Sequence, residues 1–177
     1  MTMTTFYFIR HGKTDFTEAN SKIYCGQGLN MLTLSAEGIQ QIVETAKSPE
    51  LKNAKLIVTS PYGRALHSAA ILSKELRLDI QVETDLHEWH ANVQTYDYLS
   101  DEEAEKNYKE LTMYHGVHPQ DKNCTWETAG QMKQRVYAVL EKYRQYPAVI
   151  IVCHGTLMQY VLDIPHPENG EIAKLVL

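Results

Sequence analysis

The chain has 177 residues and a mass of 20.3 kDa; 44% of its residues are hydrophobic, and its formal net charge is −5 at pH 7. This length suits one well-buried core, so we expect a single domain over residues 1–177. The acidic balance, without a clustered Lys/Arg patch, argues against a surface that binds nucleic acid or anionic membranes.

The amino-terminal residues and the cysteines bear on cellular location. The segment MTMTTFYF has neither a basic region nor a long apolar run, and no segment approaches the roughly 18 apolar residues of a membrane span. Cys25, Cys124 and Cys153 are odd in number and form no C-x-x-C pair, which indicates neither a disulfide framework nor a cysteine-based zinc site. We therefore expect a cytoplasmic protein.

The first predicted element is an apolar strand that ends in polar residues. Residues 6–9, FYFI, are aromatic or β-branched, which suits a buried strand, and Gly12 marks where this run stops. Arg10 and His11 are therefore expected at the carboxyl end of the strand. In open α/β sheets, ligands bind outside this end of the strands.

Helical and strand-like patterns then alternate along the chain. The predicted elements are a helix with its N-cap at Ser35 that ends before Pro49, a strand at 56–58, a helix at 62–76, a strand at 80–84 and, later, a strand at 148–153 followed directly by a helix. This alternation predicts a three-layer α/β/α fold with a mostly parallel sheet.

The segment from Asp85 to Glu127 differs in composition from the rest of the chain. It is rich in tyrosine and carries ten acidic residues against three lysines, a formal −7, so the remainder carries +2. We expect a helical insertion over the sheet edge, in which a capping box at Ser100 opens a helix that runs to about Met113. A helix at 127–143 and an edge strand at 171–177 should follow. The insertion's aromatic residues could line a ligand lid or form its own small core.

Three of the predicted strands end in polar residues that should meet at one edge of the sheet. Arg10 and His11 follow the first strand, Arg64 lies beyond the second, and His154 follows the fourth. Arginine offers permanently charged planar donors for phosphate oxygens, and a histidine can attack phosphorus or donate a proton. The four residues therefore predict a phosphate site.

The motifs around these residues resemble those of the histidine phosphatase superfamily, which includes the phosphoglycerate mutases. They are RHGKT at 10–14, SPYGRA at 60–65, LHEW at 86–89 and CHG at 153–155, with weaker matches in LTLSAEG at 32–38 and WETAGQMKQRV at 126–136. The resemblance covers nearly the whole chain in the expected order, and it implies a phosphoglycerate mutase-like fold.

The resemblance also implies a role for each matching residue. His11 would attack phosphorus in line and become a phosphohistidine, which water then hydrolyses. Arg10, Arg64 and His154 would bind the phosphoryl oxygens and stabilise the transition state. Glu88 would protonate the leaving oxygen and then deprotonate the attacking water. Activity should then fall in acid as His11 gains a proton, with flanking arginines lowering its pKa, and in alkali as Glu88 loses its proton.

Two positions depart from the family pattern. Thr17 stands where the family usually has an asparagine, and since a hydroxyl can donate to phosphate, Thr17 is predicted to bind substrate; Asn20 is the alternative. Met31 stands where the family often has an acidic residue, so no substrate contact is carried over to it.

The resemblance favours a phosphatase for a small phosphomonoester, with no metal and no cofactor. The first alternative is a mutase, which returns the phosphoryl group to a second hydroxyl; glycolytic mutases of this family generally have longer chains with a C-terminal tail over the site, which favours hydrolysis here. A binding module that has lost its catalytic residues is disfavoured because the nucleophile and the phosphate ligands are all in the sequence.

The other alternative is a metal-dependent hydrolase that uses His87, Glu88 and His90, although no further carboxylate or cysteine set completes a coordination shell in the sequence. For partners we expect a small phosphorylated substrate, and neither nucleic acid nor membrane. The C-terminal edge strand could pair between two subunits, but nothing in the sequence requires a homodimer. The sequence does not identify the substrate.

Overall fold

The computed structural model describes residues 3–177. The first two residues of the amino-terminal segment MTMTTFYF therefore lie outside the described part. The strands are β1 (Thr5–Arg10), β2 (Ile57–Thr59), β3 (Ile80–Val82), β4 (Ala148–Cys153) and β5 (Ile172–Val176). They form one sheet in the order β3-β2-β4-β1-β5. All neighbouring pairs are parallel except β5, which is antiparallel to β1 at the sheet edge.

The helices are α1 (Ala36–Ala46), α2 (Gly63–Leu76), α3 (Asp101–Met113), α4 (Ala129–Glu141) and α5 (Gly155–Leu162). The predicted caps are present at α1, where the Ser35 hydroxyl accepts from Gly38 N–H, and at α3, where Ser100 and Glu103 form a capping box. The α4 helix begins two residues later than predicted, because Thr128 caps it through Gln131. Within residues 3–177, none of these helices combines the length and apolar character that a bilayer span requires.

Helices cover both faces of the sheet. Alternate residues of β4 enter two separate cores: Val149, Ile151 and Cys153 on one face, and Ala148, Ile150 and Val152 on the other. The first core includes α4 and α5, and the second includes α1 and α2. The predicted three-layer α/β/α fold with a mostly parallel sheet is confirmed.

The 85–127 segment has no separate core. Its fully buried residues join the core shared by α4 and α5: Leu86, Leu111 and Trp126. Tyr108 packs against this core, whereas Tyr96 and Tyr98 are exposed. The aromatic residues of the segment therefore divide between the main core and the surface above the carboxyl edge of the sheet.

The strand register brings the polar residues beyond three strands together. Arg10 at the end of β1 pairs with Cys153 of β4, and Thr59 of β2 pairs with Val152. The residues that follow these ends are His11, His154 and Ser60. They therefore lie side by side at the carboxyl edge of the sheet, as the parallel arrangement predicts.

Candidate active site

His11 is buried, with 7% of its surface exposed, in the loop that follows β1. Its Nδ1 lies 2.7 Å from the carbonyl oxygen of Gly12, so Nδ1 carries the hydrogen and Nε2 keeps its lone pair. Arg64 Nε donates to that Nε2 at 3.2 Å. Burial, followed by the charge of Arg64, lowers the pKa of His11 to about 3. The expected lowering is present, but burial contributes more to it than the arginines.

His154 lies against His11 at the N-terminus of α5. The two ring centroids are 5.2 Å apart in an edge-to-face arrangement, and His154 Nε2 is 2.7 Å from the hydroxyl of Ser60. His154 is fully buried, and burial lowers its pKa well below the usual value, so the ring is neutral. When the Ser60 hydroxyl donates to Nε2, the hydrogen of the ring is on Nδ1.

Two buried polar atoms of this group have no hydrogen-bond partner among residues 3–177: Arg10 Nε and His154 Nδ1. The rest of the Arg10 guanidinium is anchored, because its Nη1 donates to the carbonyl of Pro167 at 2.6 Å. Buried donors in proteins are almost always paired. These two atoms are therefore available to contact a ligand, His154 Nδ1 as a donor when it carries the ring hydrogen.

Arg64 connects two cavities at the carboxyl edge. The first, of about 450 Å³, is lined by Arg10, His11 and Arg64 among others. The second, of about 180 Å³, is lined by Arg64 and Glu88, and the two cavities share Asn30, Arg64 and Tyr98. The guanidinium carbon of Arg64 lies 4.9 Å from the centre of the Tyr62 ring. Arg64 thus stands between His11 on one side and Glu88 on the other.

Glu88 is held by backbone N–H groups. Its Oε1 accepts from the N–H groups of Trp89 at 2.8 Å and Leu157 at 2.9 Å, and its Oε2 accepts from Thr156 N–H at 3.2 Å. Thr156 and Leu157 belong to the first turn of α5, directly after His154 and Gly155. The helix N-terminus therefore fixes this carboxyl group close to His154, the N-cap residue of α5.

Comparison with known proteins identifies the family. Residues 6–166 match the family model of the histidine phosphatase superfamily (branch 1). The chain belongs to this superfamily. The chain is 31% identical to the uncharacterized phosphatase PhoE of Bacillus subtilis over 163 residues, which cover 90% of this chain and 76% of the relative. It is 28% identical over 171 residues to the probable phosphoglycerate mutase GpmB of Escherichia coli, with 92% and 77% covered.

Solved structures show the same fold. A phosphoglycerate mutase of Bacillus anthracis superposes with a TM-score of 0.68 and 17% identity, covering 99% of this chain and 88% of the other. A mycobacterial glucosyl-3-phosphoglycerate phosphatase superposes with a TM-score of 0.67 and 19% identity, covering 96% and 88%. The predicted phosphoglycerate mutase-like architecture of the chain is confirmed.

The structure does not bring Thr17 into the candidate site. Thr17 is exposed, its backbone N–H donates to the Asp15 carboxylate at 2.9 Å, and it lines neither cavity; Asn20 is exposed as well. Asn30 lines both cavities instead, with its Oδ1 3.4 Å from Arg64 Nη1. Asn30 was missed because it lies in a short 3₁₀ turn, Gly26–Met31, that apolar periodicity does not reveal.

The histidines beside Glu88 form other contacts. His87 Nδ1 lies 2.7 Å from the carbonyl oxygen of Glu88, and burial lowers the pKa of both His87 and His90. Residues 3–177 contain no group of three or more His, Cys, Asp or Glu side chains placed to hold a metal ion. The metal-dependent alternative that uses His87, Glu88 and His90 thus finds no support in their geometry.

A buried ion pair supports the loop that carries Glu88. Arg135 binds Glu127 through two hydrogen bonds, of 2.6 and 2.9 Å, and the two side chains are 12% and 4% exposed. Arg135 Nη1 also donates to the backbone carbonyls of Asp85 and His87, at 2.5 and 2.8 Å. Both residues of the pair belong to the weaker motif WETAGQMKQRV. Their contact with the Glu88 loop joins segments about 50 residues apart in the sequence, so the motif alone does not indicate it. Arg135 and Glu127 are therefore positioning residues.

Replacement of Arg135 by methionine should destabilise the protein by about 3–5 kcal/mol, because Glu127 would keep a buried charge without its partner. The turnover number should fall as well, since the carbonyls of Asp85 and His87, which precede Glu88 on its loop, lose their donor. Urea unfolding and phosphate release measure the two effects. Arg144→Met is the matched control: its pair with Glu141 is on the surface and should contribute about 0–1 kcal/mol. Equal effects of the two substitutions would contradict this role of Arg135.

Proposed function

We propose that this protein is a metal-independent phosphatase that hydrolyses small phosphomonoesters through a phosphohistidine on His11. One observation carries the proposal: a buried neutral His11, whose tautomer leaves the lone pair on Nε2, lies beside a cluster of phosphate-type donors. A histidine held in this way is ready to attack phosphorus without first losing a proton. The same residue types in the same order characterise its superfamily.

In the first step, His11 Nε2 forms a bond to phosphorus while the bond from phosphorus to the leaving oxygen breaks. The leaving oxygen takes a proton from Glu88. The hydrogen bond from Arg64 Nε to His11 Nε2 is exchanged for one to a phosphoryl oxygen, because the attacking lone pair must be free. Arg10 Nε and His154 Nδ1 donate to the other phosphoryl oxygens, which stabilises the charge that develops in the transition state.

In the second step, water attacks the phosphohistidine and Glu88 accepts its proton. The bond between phosphorus and nitrogen breaks, and its electron pair returns to Nε2. Both oxygens of Glu88 accept backbone hydrogen bonds, of which the one from Thr156 N–H to Oε2, at 3.2 Å, is the longest. Oε2 is therefore the oxygen that exchanges protons with leaving group and water, since it gives up the weakest contact.

Phosphate release from an aryl phosphate should continue at an unchanged rate in an excess of EDTA. The proposed donors are arginine and histidine N–H groups and need no metal ion. Abolition of turnover by EDTA, with recovery when a divalent cation is added, would contradict the proposal. A mutase shares the first step but transfers the phosphoryl group to a hydroxyl, so a protein that isomerises a phosphorylated diol and releases no phosphate would favour that alternative.

His11 should remain neutral down to about pH 4.5, because its pKa is lowered to about 3 from the ordinary 6.5. The ¹⁵N shifts of its imidazole measure this directly, and kcat/KM should show no acid limb that belongs to His11 near pH 6.5. In the unfolded chain the His11 imidazole has its ordinary pKa of 6.5 and gains a proton below that pH, whereas in the folded protein it stays neutral. The free energy of unfolding should therefore fall as the pH drops from 6.5 toward 3. A His11 titration at pH 6 or above would contradict the account.

A further inference from the structure

The cavity on the Glu88 side is the place of the leaving group, if the proposed function holds. In-line displacement puts the leaving oxygen on the far side of phosphorus from His11. Glu88 must reach that oxygen to protonate it, and Glu88 lines the smaller cavity whereas His11 lines the larger one. The rest of the leaving group therefore lies among the residues of the smaller cavity.

The charges in this cavity disfavour a second anionic group. Among the described residues of its lining, Arg64 is the one permanent cation, and the mechanism assigns it to the phosphoryl oxygens. Asp97 supplies a carboxylate, whereas Glu88 is a neutral carboxyl group when substrate binds, because it carries the proton that the leaving oxygen takes. His90 also lines the cavity, but burial lowers its pKa, so it is neutral near pH 7. Arg135, which lies behind the Glu88 loop, is neutralised by its ion pair with Glu127.

The uncharged part of the lining suits hydroxyl groups. The amide side chains in the cavity are those of Gln27, Asn30 and Asn92, and its aromatic side chains include Tyr62, Trp89 and Tyr98. Asp97 Oδ2 accepts from the Thr95 hydroxyl at 2.6 Å, and among the described residues no donor is found for its Oδ1. Amide and carboxylate oxygens accept bonds from hydroxyls, and aromatic faces pack against C–H surfaces.

The cavity is a small cleft that is partly open to solvent. Its volume of about 180 Å³ is below the roughly 300–1,000 Å³ of pockets that enclose drug-sized ligands. Gln27 Nε2 also donates to the carbonyl of Tyr96 at 2.7 Å, and Asn30 donates to Gln27 Oε1 at 3.2 Å. The bond from Gln27 ties the Gly26–Met31 turn to the 85–127 segment beside the cavity, and the bond from Asn30 holds Gln27 in place within the turn.

We infer that the preferred substrates are monophosphates of small, uncharged, hydroxyl-bearing compounds, such as polyol or simple sugar monophosphates, and that Asp97 sets this preference. A leaving group with a carboxylate or a second phosphate would lie beside the Asp97 carboxylate, with no free cation in the lining to compensate its charge. Like charges at short range are repelled, which discriminates against such substrates.

The test compares glycerol 3-phosphate with 3-phosphoglycerate, which differ in having a CH₂OH group or a carboxylate at the same position. Each is measured as a competitive inhibitor of aryl phosphate hydrolysis at constant ionic strength, so that an inhibition constant is obtained whether or not the compound turns over. We expect the inhibition constant of glycerol 3-phosphate to be lower than that of 3-phosphoglycerate by a factor of about ten or more. Asp97→Asn should reduce the ratio of the two inhibition constants by about threefold or more, chiefly because 3-phosphoglycerate binds more tightly to this variant.

Glu102→Gln is the matched control, because Glu102 is an exposed carboxylate of the same segment that does not line this cavity. It should leave the ratio unchanged. Equal or tighter binding of 3-phosphoglycerate, or a ratio that Asp97→Asn does not move, would overturn the inference while aryl phosphate hydrolysis still supports the proposed function. Failure of the native protein to hydrolyse the aryl phosphate at all would overturn the proposed function, and this inference with it.

Discussion

His11→Asn will lower the rate of phosphate release from an aryl phosphate by about 10⁴-fold or more, as expected when a covalent nucleophile is removed. Asparagine has no basic nitrogen that can form the phosphorylated intermediate. The remaining donors, Arg10, Arg64 and His154, would still bind the phosphoryl group, so substrate affinity should fall much less than turnover. Steady-state kinetics of native and variant proteins separates the two effects.

His115→Asn provides the control for this substitution. His115 is exposed and has a φ of 50°, a left-handed conformation that asparagine adopts readily. This variant should keep the native rate. Thermal unfolding of both variants establishes that they are folded. A His11→Asn protein that retains activity within tenfold of native would place the nucleophile elsewhere.

Glu88→Gln will separate the two chemical steps. An aryl phosphate has a good leaving group that departs without a proton, so the phosphoenzyme should still form. Glutamine cannot take a proton from water, so hydrolysis of the phosphoenzyme should slow by about 10²–10⁴-fold. Stopped-flow measurement should show a burst of one phenolate per protein molecule and then slow turnover. With an alkyl phosphate, whose leaving oxygen needs a proton, the burst should disappear.

Asp85→Asn tests whether another carboxylate performs this role. Asp85 is exposed and lies three residues before Glu88 on the same loop, and its side chain lines neither cavity of the site. We expect native steady-state kinetics for this variant. Steady turnover without a burst in Glu88→Gln, or a burst in Asp85→Asn, would contradict the assignment of the acid and base to Glu88.

Much of this architecture follows from short-range patterns. Apolar runs of β-formers that end in polar residues located β1, β2 and β4, and Ser35 and Ser100 located the starts of two helices. The contact of His11 with Arg64, and that of His11 with His154, could be predicted because parallel strands share one carboxyl edge. The family motifs then supplied a chemical role for each residue.

The remaining features depend on contacts that local patterns do not encode. Asn30 reaches Arg64 from a 3₁₀ turn that lacks apolar periodicity, and Thr17 occupies the familiar motif position without entering the site. The spacing of Arg135 and Glu127 in the sequence does not show that their side chains are buried and paired. Two of the three backbone donors of Glu88, Thr156 and Leu157, lie 68 and 69 positions further along the chain.

The most direct test of the central claim is to trap the phosphoenzyme. Native protein is mixed with an aryl phosphate in the presence of EDTA, quenched within one turnover under alkaline conditions, digested and analysed by mass spectrometry. The account predicts one phosphoryl group on His11, which acid treatment removes and which His11→Asn does not form. A phosphoryl group on any other residue would contradict the account. So would a Glu88→Gln variant, in which hydrolysis of the phosphoenzyme should be slow, that turns over at the native rate and accumulates no phosphoenzyme.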